Sequence, residues 1–252
     1  MNIARRKIIN LTVFLCLVLC PGVSAIEKSV GDYFREANAD HDKGNFEKAE
    51  AAYTKAIELS SSYQILYYSR GQTRLKKGDL EGAIVDLSKA LSLSPRNRNA
   101  YRARCLLAEV FHRKRDFKKS INQYEIAIAM NPDLDEAYMG RGIVYAAQGE
   151  MDDAVLDFNR AMALDPSNDA PYVARAKVFS TQNFYKKAAL EYSRAIELNP
   201  KSDTAYAGRG TTRFIQNDYQ GALSDLQQAL VLNPALEEDL ALFIEQAKKV
   251  LR

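Results

Sequence analysis

The sequence predicts an all-α solenoid of helix-turn-helix units. Five prolines, Pro95, Pro132, Pro166, Pro200 and Pro234, each close a stretch of the form A-[ILM]-x-[LM]-[SDN]-P and stand 37, 34, 34 and 34 residues apart. Between them, apolar residues recur at spacings of 3 and 4 on both sides of a short break such as Lys77-Gly78-Asp79, Gln148-Gly149-Glu150 or Asn217-Asp218. That is the period of an amphipathic helix interrupted once per unit. A unit of this size cannot bury its apolar face alone, so a continuous core forms only when neighbours stack. Such a fold offers extended surface, not a catalytic pocket.

The segment up to Ala25 stands apart from the array. Arg5, Arg6 and Lys7 precede an uncharged run from Ile8 to Leu19, and Val23-Ser24-Ala25 follows as a small-residue site, the layout of a secretory signal peptide over 1–25. The run is shorter than the ~20 residues that cross a bilayer. Leu19 before Cys20 is too large for a bacterial lipoprotein signal. Those three cations are the whole excess of 35 basic over 32 acidic residues, so the remainder is formally neutral and its charge balance names no nucleic-acid partner. Of the three cysteines only Cys105 lies beyond the leader, which leaves no intramolecular disulfide to form. The absence of an N-x-[ST] sequon after Ala25 favours a bacterial envelope over a eukaryotic secretory route. The expected location is periplasmic or secreted.

Aligned on the prolines, the array over 26–236 divides into 30–63, 64–97, 101–134, 135–168, 169–202 and 203–236. The first unit has Ser61 in place of proline but keeps Ala37, Ala49, Tyr53 and Ala56 at the expected places. The fourth reads Tyr138, Gly142, Tyr145, Ala154, Phe158, Ala161, Pro166, and the fifth Tyr172, Ala176, Phe179, Ala188, Tyr192, Ala195, Pro200. The sixth has Tyr206, Gly210, Ala222, Leu226, Ala229 and Pro234, with Arg213 in the first aromatic slot; the second departs likewise at Arg74. Small residues at fixed places let helix backbones cross closely, and the aromatics fill the wedge beside them. After Pro234, Leu240, Phe243, Ile244, Ala247 and Leu251 mark one face of a last helix. Acids at its start and bases at its end suit the helix dipole, so 237–252 reads as a capping helix.

This order of large, small, aromatic, Ala, aromatic, Ala and Pro resembles the tetratricopeptide repeat over about residues 30 to 236. The resemblance implies a right-handed superhelical solenoid and a non-enzymatic scaffold or adaptor that holds a peptide or helix against its concave face. That face would be lined by positions 2, 5, 9, 12 and 13 of each first helix. Here these give a candidate groove of Phe34, Asn38, Tyr68, Gln72, Glu109, His112, Met139, Ile143, Lys177 and Thr211. Phe34 and Tyr68 stand in slots that basic residues fill in members that clamp a carboxyl-terminal acid, which disfavours that cargo and favours a segment with apolar anchors.

Four units carry an Arg at position 7 and an acid at position 23: Arg70 with Asp86, Arg141 with Asp157, Arg175 with Glu191 and Arg209 with Asp225. Where Glu36 or Leu107 replaces the Arg, Ala52 or Gln123 replaces the acid. Both positions are equidistant from the turn, so an antiparallel pair of helices brings them level, and structural ion pairs are expected.

Charge is segregated along the chain. Arg96 to Lys119 holds nine basic and two acidic residues, Asn131 to Ala170 nine acidic and two basic. Arg102, Arg113, Lys114, Arg115, Lys118 and Lys119 form a candidate basic junction, the basis of an alternative function in which the third unit binds a polyanion or an anionic lipid surface. Charge runs on helices are more often only solvated. Three extra residues, Arg98, Asn99 and Ala100, are expected to lengthen a helix or open a loop beside this cluster.

Enzyme chemistry lacks its parts: two histidines, no HExxH, no paired CxxC and no phosphate-binding Gly-rich loop. No cofactor or metal is expected, and membrane contact is at most peripheral. His41 and His112, both at position 12, read as groove or surface residues. Cys105 lies near Arg102 and Arg104, which would lower its pKa, yet without a resolving thiol it reads as a small packed residue.

Overall fold

The computed structural model describes residues 28–95 and 100–252; the leader, Arg98 and Asn99 lie outside these residues. All regular elements among the described residues are helical, and the chain divides into two compact units after Ser62. The first unit holds α1 (Val30–Asp42) and α2 (Phe46–Leu59). The second holds α3 (Gln64–Lys77), α4 (Leu80–Leu93), α5 (Ala100–Arg113), α6 (Phe117–Met130), α7 (Asp135–Gln148), α8 (Met151–Leu164), α9 (Ala170–Thr181), α10 (Tyr185–Leu198), α11 (Asp203–Ile215) and α12 (Tyr219–Leu232). A 3-10 turn over Pro234–Leu236 leads into α13 (Glu237–Val250).

Local chemistry stops every helix at the same place. The residue that ends each first helix has a left-handed backbone: Gly44, Gly78 and Gly149, with Asn183 and Asn217 at φ 61° and 64°, and Arg115 at φ 60°. Glycine takes this conformation freely and asparagine at little cost, whereas an arginine there is strained. Asp79, Asp116 and Asp218 follow directly and cap the second helix, accepting from the backbone N–H of Gly82, Lys119 and Gly221. In the first unit Ser29 and Asp32 form a reciprocal capping box at α1. The second helix ends before proline because that position disfavours helical φ/ψ; Asn131, Asp165 and Asn233 are extended, and Asn199 at φ −135° and ψ 89° is likewise outside the helical region. Their side chains then accept from the backbone N–H two residues on, fixing the turn into the next repeat.

Within residues 63–252 the first helices of successive repeats touch one another and the second helices do not. The array is therefore a superhelical solenoid with first helices on its inner side. The alanines of the repeat pattern, among them Ala83, Ala90, Ala127, Ala154, Ala188, Ala195, Ala222 and Ala229, are fully buried where helices cross. Among the described residues α4 and α5 each span 14 residues, and the expected effect of Arg98 and Asn99 on a helix or loop lies outside them. Ala100 is the buried first residue of α5, and Leu87 and Leu91 pack on with Ala103, Leu107 and Val110 without a break in the core. At the far end Leu240, Phe243 and Ile244 of α13 close the core over Leu226 and Ala229.

Alternate repeats are closed differently. In the second, fourth and sixth, a Cβ at Gly71, Gly142 or Gly210 would come within 3.0, 2.7 or 2.8 Å of Leu87, Phe158 or Leu226 on the paired helix. The third and fifth have Ala108 and Ala176 at that place, facing Tyr124 and Tyr192. These rings reach into the following repeat, where a Cβ at Gly140 or Gly208 would lie well under 3.0 Å from the phenol carbon. The packing period is thus two repeats. The first unit has the same Ala37 and Tyr53, whose hydroxyl donates to Asn38 Oδ1 at 2.6 Å.

Candidate functional site

The position-7 arginines of the four units are engaged in the solenoid wall. Arg70 grips Asp86 through Nε and Nη2, both at 2.8 Å; Arg141 grips Asp157 at 2.8 and 2.9 Å, and Arg209 grips Asp225 at 2.8 and 2.7 Å. The longer Glu191 takes one bond from Arg175, at 2.6 Å. Asp86, Asp157 and Asp225 are buried, and two parallel N–H···O bonds from one guanidinium satisfy the oxygens of each carboxylate where water does not reach them. Arg175 and Arg209 also donate to Asn159 and Ser193 of the preceding repeat, fastening neighbours together. In the third repeat Gln123 instead accepts from Arg104 at 2.9 Å. The sequence reading missed that Arg74 and Arg213, in slots meant for an aromatic, reach the same acids: Arg74 to Asp86 at 2.9 Å, Arg213 to Asp225 at 2.8 Å. The available signal was a second arginine one helical turn after the first, with a single acid to serve both.

With these arginines committed, the inner side of the second unit carries three adjoining cavities. The first, of about 300 Å³, is polar and lies among Tyr68, Gln72, Arg102, Glu109, Tyr124 and Glu136. Glu109, Tyr124 and Glu136 also border the second, of about 390 Å³, together with His112, Arg113, Asp135, Met139 and Ile143. Met139 and Ile143 pass into the third, of about 520 Å³, whose floor is Phe158, Val173 and Val178, with Lys177 at its edge. Shared walls make these one trough across α3, α5, α7 and α9, polar at one end and apolar at the other. Thr211 is not part of this lining; its hydroxyl donates back to the Ala207 and Gly208 carbonyls at 3.0 Å. Phe34 and Asn38 are engaged inside the first unit, Phe34 against the Tyr53 ring and Asn38 with its hydroxyl.

Burial sets the protonation of the polar end. It pushes the Tyr68 and Tyr124 phenols up, so both stay neutral hydrogen-bonding groups. It also raises the Glu136 carboxyl, against the opposing pull of Arg102. His112 packs on Phe117 with ring centroids 5.8 Å apart, and burial lowers its pKa. At Cys105 the expected lowering by Arg102 and Arg104 does not occur: burial pushes the thiol up, since desolvation of a thiolate outweighs charges that are not in contact with it.

The basic junction is not one patch. Arg102 lies in the trough near the start of α5, whereas Arg113, Lys114 and Arg115 lie at its other end, roughly 16 Å away at 1.5 Å per residue. Of the extra residues, Ala100 is at the Arg102 end of α5, away from Lys118 and Lys119 at the start of α6. Arg113 donates to Glu109 at 2.6 Å and to the Leu75 carbonyl, Lys114 pairs with Glu81, and Lys119 with Asp116 at 2.8 Å. Counting like charges along a sequence missed this because a whole helix separates them in space and acids from neighbouring turns answer them.

Stacked helical hairpins around an inner trough define a helical-repeat protein. Models described as tetratricopeptide repeat match residues 105–169, 173–237 and 65–97, and one described as TPR repeat matches 37–78. The chain belongs to the tetratricopeptide repeat family, whose members generally act as protein–protein interaction scaffolds and are typically not enzymes. Among curated proteins it is similar to the Protein CTR9 homolog of Arabidopsis thaliana, 27% identical over 114 residues, covering 44% of this chain and 10% of that protein. The chain therefore spans about a tenth of that relative's length. Among solved structures it resembles yeast Tom70, with a TM-score of 0.72 and 23% identity over 89% of this chain and 48% of the other. It also resembles YrrB, described as a TPR protein with an unusual peptide-binding site, with a TM-score of 0.53 and 21% identity over 79% and 98% of the two chains. At these identities the structural likeness is one of fold.

Proposed function

We propose that this chain is a non-enzymatic scaffold of the cell envelope that holds a peptide or helix of a partner protein in the trough of α3, α5, α7 and α9. The observation that carries this reading is the apolar cavity of about 520 Å³ walled by Met139, Ile143, Phe158, Val173 and Val178, continuous with a polar one. It has the size and character that seat a large apolar anchor while polar groups orient the chain around it. The peptide-binding site named for YrrB supports the same use of this fold. Export rests on Arg5, Arg6 and Lys7 before the uncharged run and on the small residues ending at Ala25.

Two measurements test this. The full chain is expressed in bacterial cells, where a mature amino terminus at Ile26 in the periplasmic fraction is expected; retention of Met1 in the cytoplasm would remove the envelope from the reading. The exported protein is then used to capture partners from envelope extract at low and high salt, beside a Tyr68→Ala, Met139→Ala variant. A partner kept at high salt and lost from the variant fits a trough held by apolar anchors. Retention only at low salt, indifferent to the variant, would instead point to counterion release at a charged surface.

A further inference from the structure

The trough has a direction, and its charges choose a partner. Its polar half presents three carboxylates, Glu109, Asp135 and Glu136, against two guanidinium groups, Arg102 and Arg113. Arg113 is occupied by Glu109 at 2.6 Å and by the Leu75 carbonyl. Glu136 is exposed on the trough wall and makes no ion pair among the described residues, while Arg102 faces it only at longer range. Two accessible carboxylates side by side on the trough wall, with no cation in contact, attract a cation carried by a bound segment.

Resting on the trough reading above, we infer that the bound segment carries a lysine or arginine that meets Glu136 and Asp135, and a large apolar side chain that enters the Met139, Ile143 and Val173 cavity. Spacing follows from α7, which supplies both ends. Glu136 and Ile143 are about seven residues apart on it, roughly 10 Å along its axis at ~1.5 Å per residue. An extended ligand covers that distance in about three residues at ~3.3 Å each. The recognised pattern is therefore a basic residue and a bulky apolar one separated by two others. An acidic residue in the first place would meet Glu109, Asp135 and Glu136 together and be rejected by like charge.

A displayed library of random twelve-residue peptides, selected on the full chain, reads this directly. The enriched peptides should share a large apolar residue with a lysine or arginine three positions away. Changing that base to glutamate in a selected peptide should weaken binding about tenfold, a preference that fades with salt. Glu136→Gln with Asp135→Asn should abolish the preference for the base and leave binding of the apolar anchor. Val173→Asp should abolish both. Enriched peptides that carry acids or no fixed charge, yet still fail on Val173→Asp, would overturn the cationic partner and leave the trough in place. Peptides that bind Val173→Asp as well as wild type would overturn the trough itself, and the cationic partner with it.

Discussion

Arg213 donates to Asp225 across 2.8 Å from a slot that holds Tyr145 in the fourth repeat and Phe179 in the fifth. Asp225, which is buried, already accepts two bonds from Arg209, so one carboxylate holds two guanidinium groups. The same triad recurs at Arg70, Arg74 and Asp86. Removing the acid leaves Arg209 without its carboxylate and Arg213 with only its looser contact to Asp218 at 3.7 Å. Asp225→Ala should cost about 3–5 kcal/mol, more than Asp157→Ala, which strands Arg141 alone. In the fourth repeat Arg141→Ala should cost on the order of 3 kcal/mol and Arg141→Met with Asp157→Leu much less, because the double change leaves no unpaired charge. Urea unfolding of the four variants checks the order; equal losses for Arg141→Ala and the double variant would refute it.

Gly208→Ala should destabilise by about 1–3 kcal/mol despite the better helix propensity of alanine, because the new methyl would sit well under 3.0 Å from the Tyr192 ring. Tyr192 is almost wholly buried and has nowhere to retreat. Adding Tyr192→Leu, the residue type that Leu226 and Leu87 place at the equivalent position, should recover much of the loss. A double-mutant cycle by thermal melting measures the coupling.

Arg115 holds a left-handed backbone at φ 60° where three other repeats use glycine. Relief of that strain in Arg115→Gly should raise stability by about 1 kcal/mol. A rise in the unfolding midpoint, with trough binding unchanged, is the expected result.

Burial lowers the His112 pKa, and the nearby Arg113 and Arg115 act in the same direction while Glu109 opposes them. The folded state therefore prefers the neutral ring. Its contribution to stability is present above the unfolded pKa near 6.5 and is lost as pH falls through the lower folded value. The melting temperature should drop between about pH 7.5 and about pH 5 more steeply in the wild-type protein than in His112→Phe, which carries no titratable ring.

Much of the architecture was legible because each turn is fixed by residues adjacent in sequence. The non-helical residue before each proline and the left-handed residue after each first helix, a glycine or asparagine in every repeat but the third, act locally, and the regular period of the prolines repeats them. The match of an Arg at position 7 to an acid at position 23 was legible for a similar reason, since a hairpin of two equal helices sets which residues lie level. What was not legible depends on contacts between repeats. Nothing local distinguishes Arg102, which lines the polar cavity beside Glu136, from Arg113, which is held by Glu109 and the Leu75 carbonyl. The apolar cavity likewise needs Met139 and Ile143 of one repeat beside Val173 and Val178 of the next. Cys105 packs against the core as its lack of a resolving thiol suggested, and its burial outweighs the nearby arginines that the sequence shows.

An array of interchangeable modules risks assembling one module out of step, either during folding or by exchange between two chains. Here Tyr124 and Tyr192 require the bare backbones of Gly140 and Gly208, and the corresponding place in the third and fifth repeats is filled by Leu106 and Ala174. A slip by a single repeat would drive each tyrosine into a side chain, whereas a slip by two would not. The alternation works as a key that marks odd from even, so it selects against pairings of helices displaced by a single repeat.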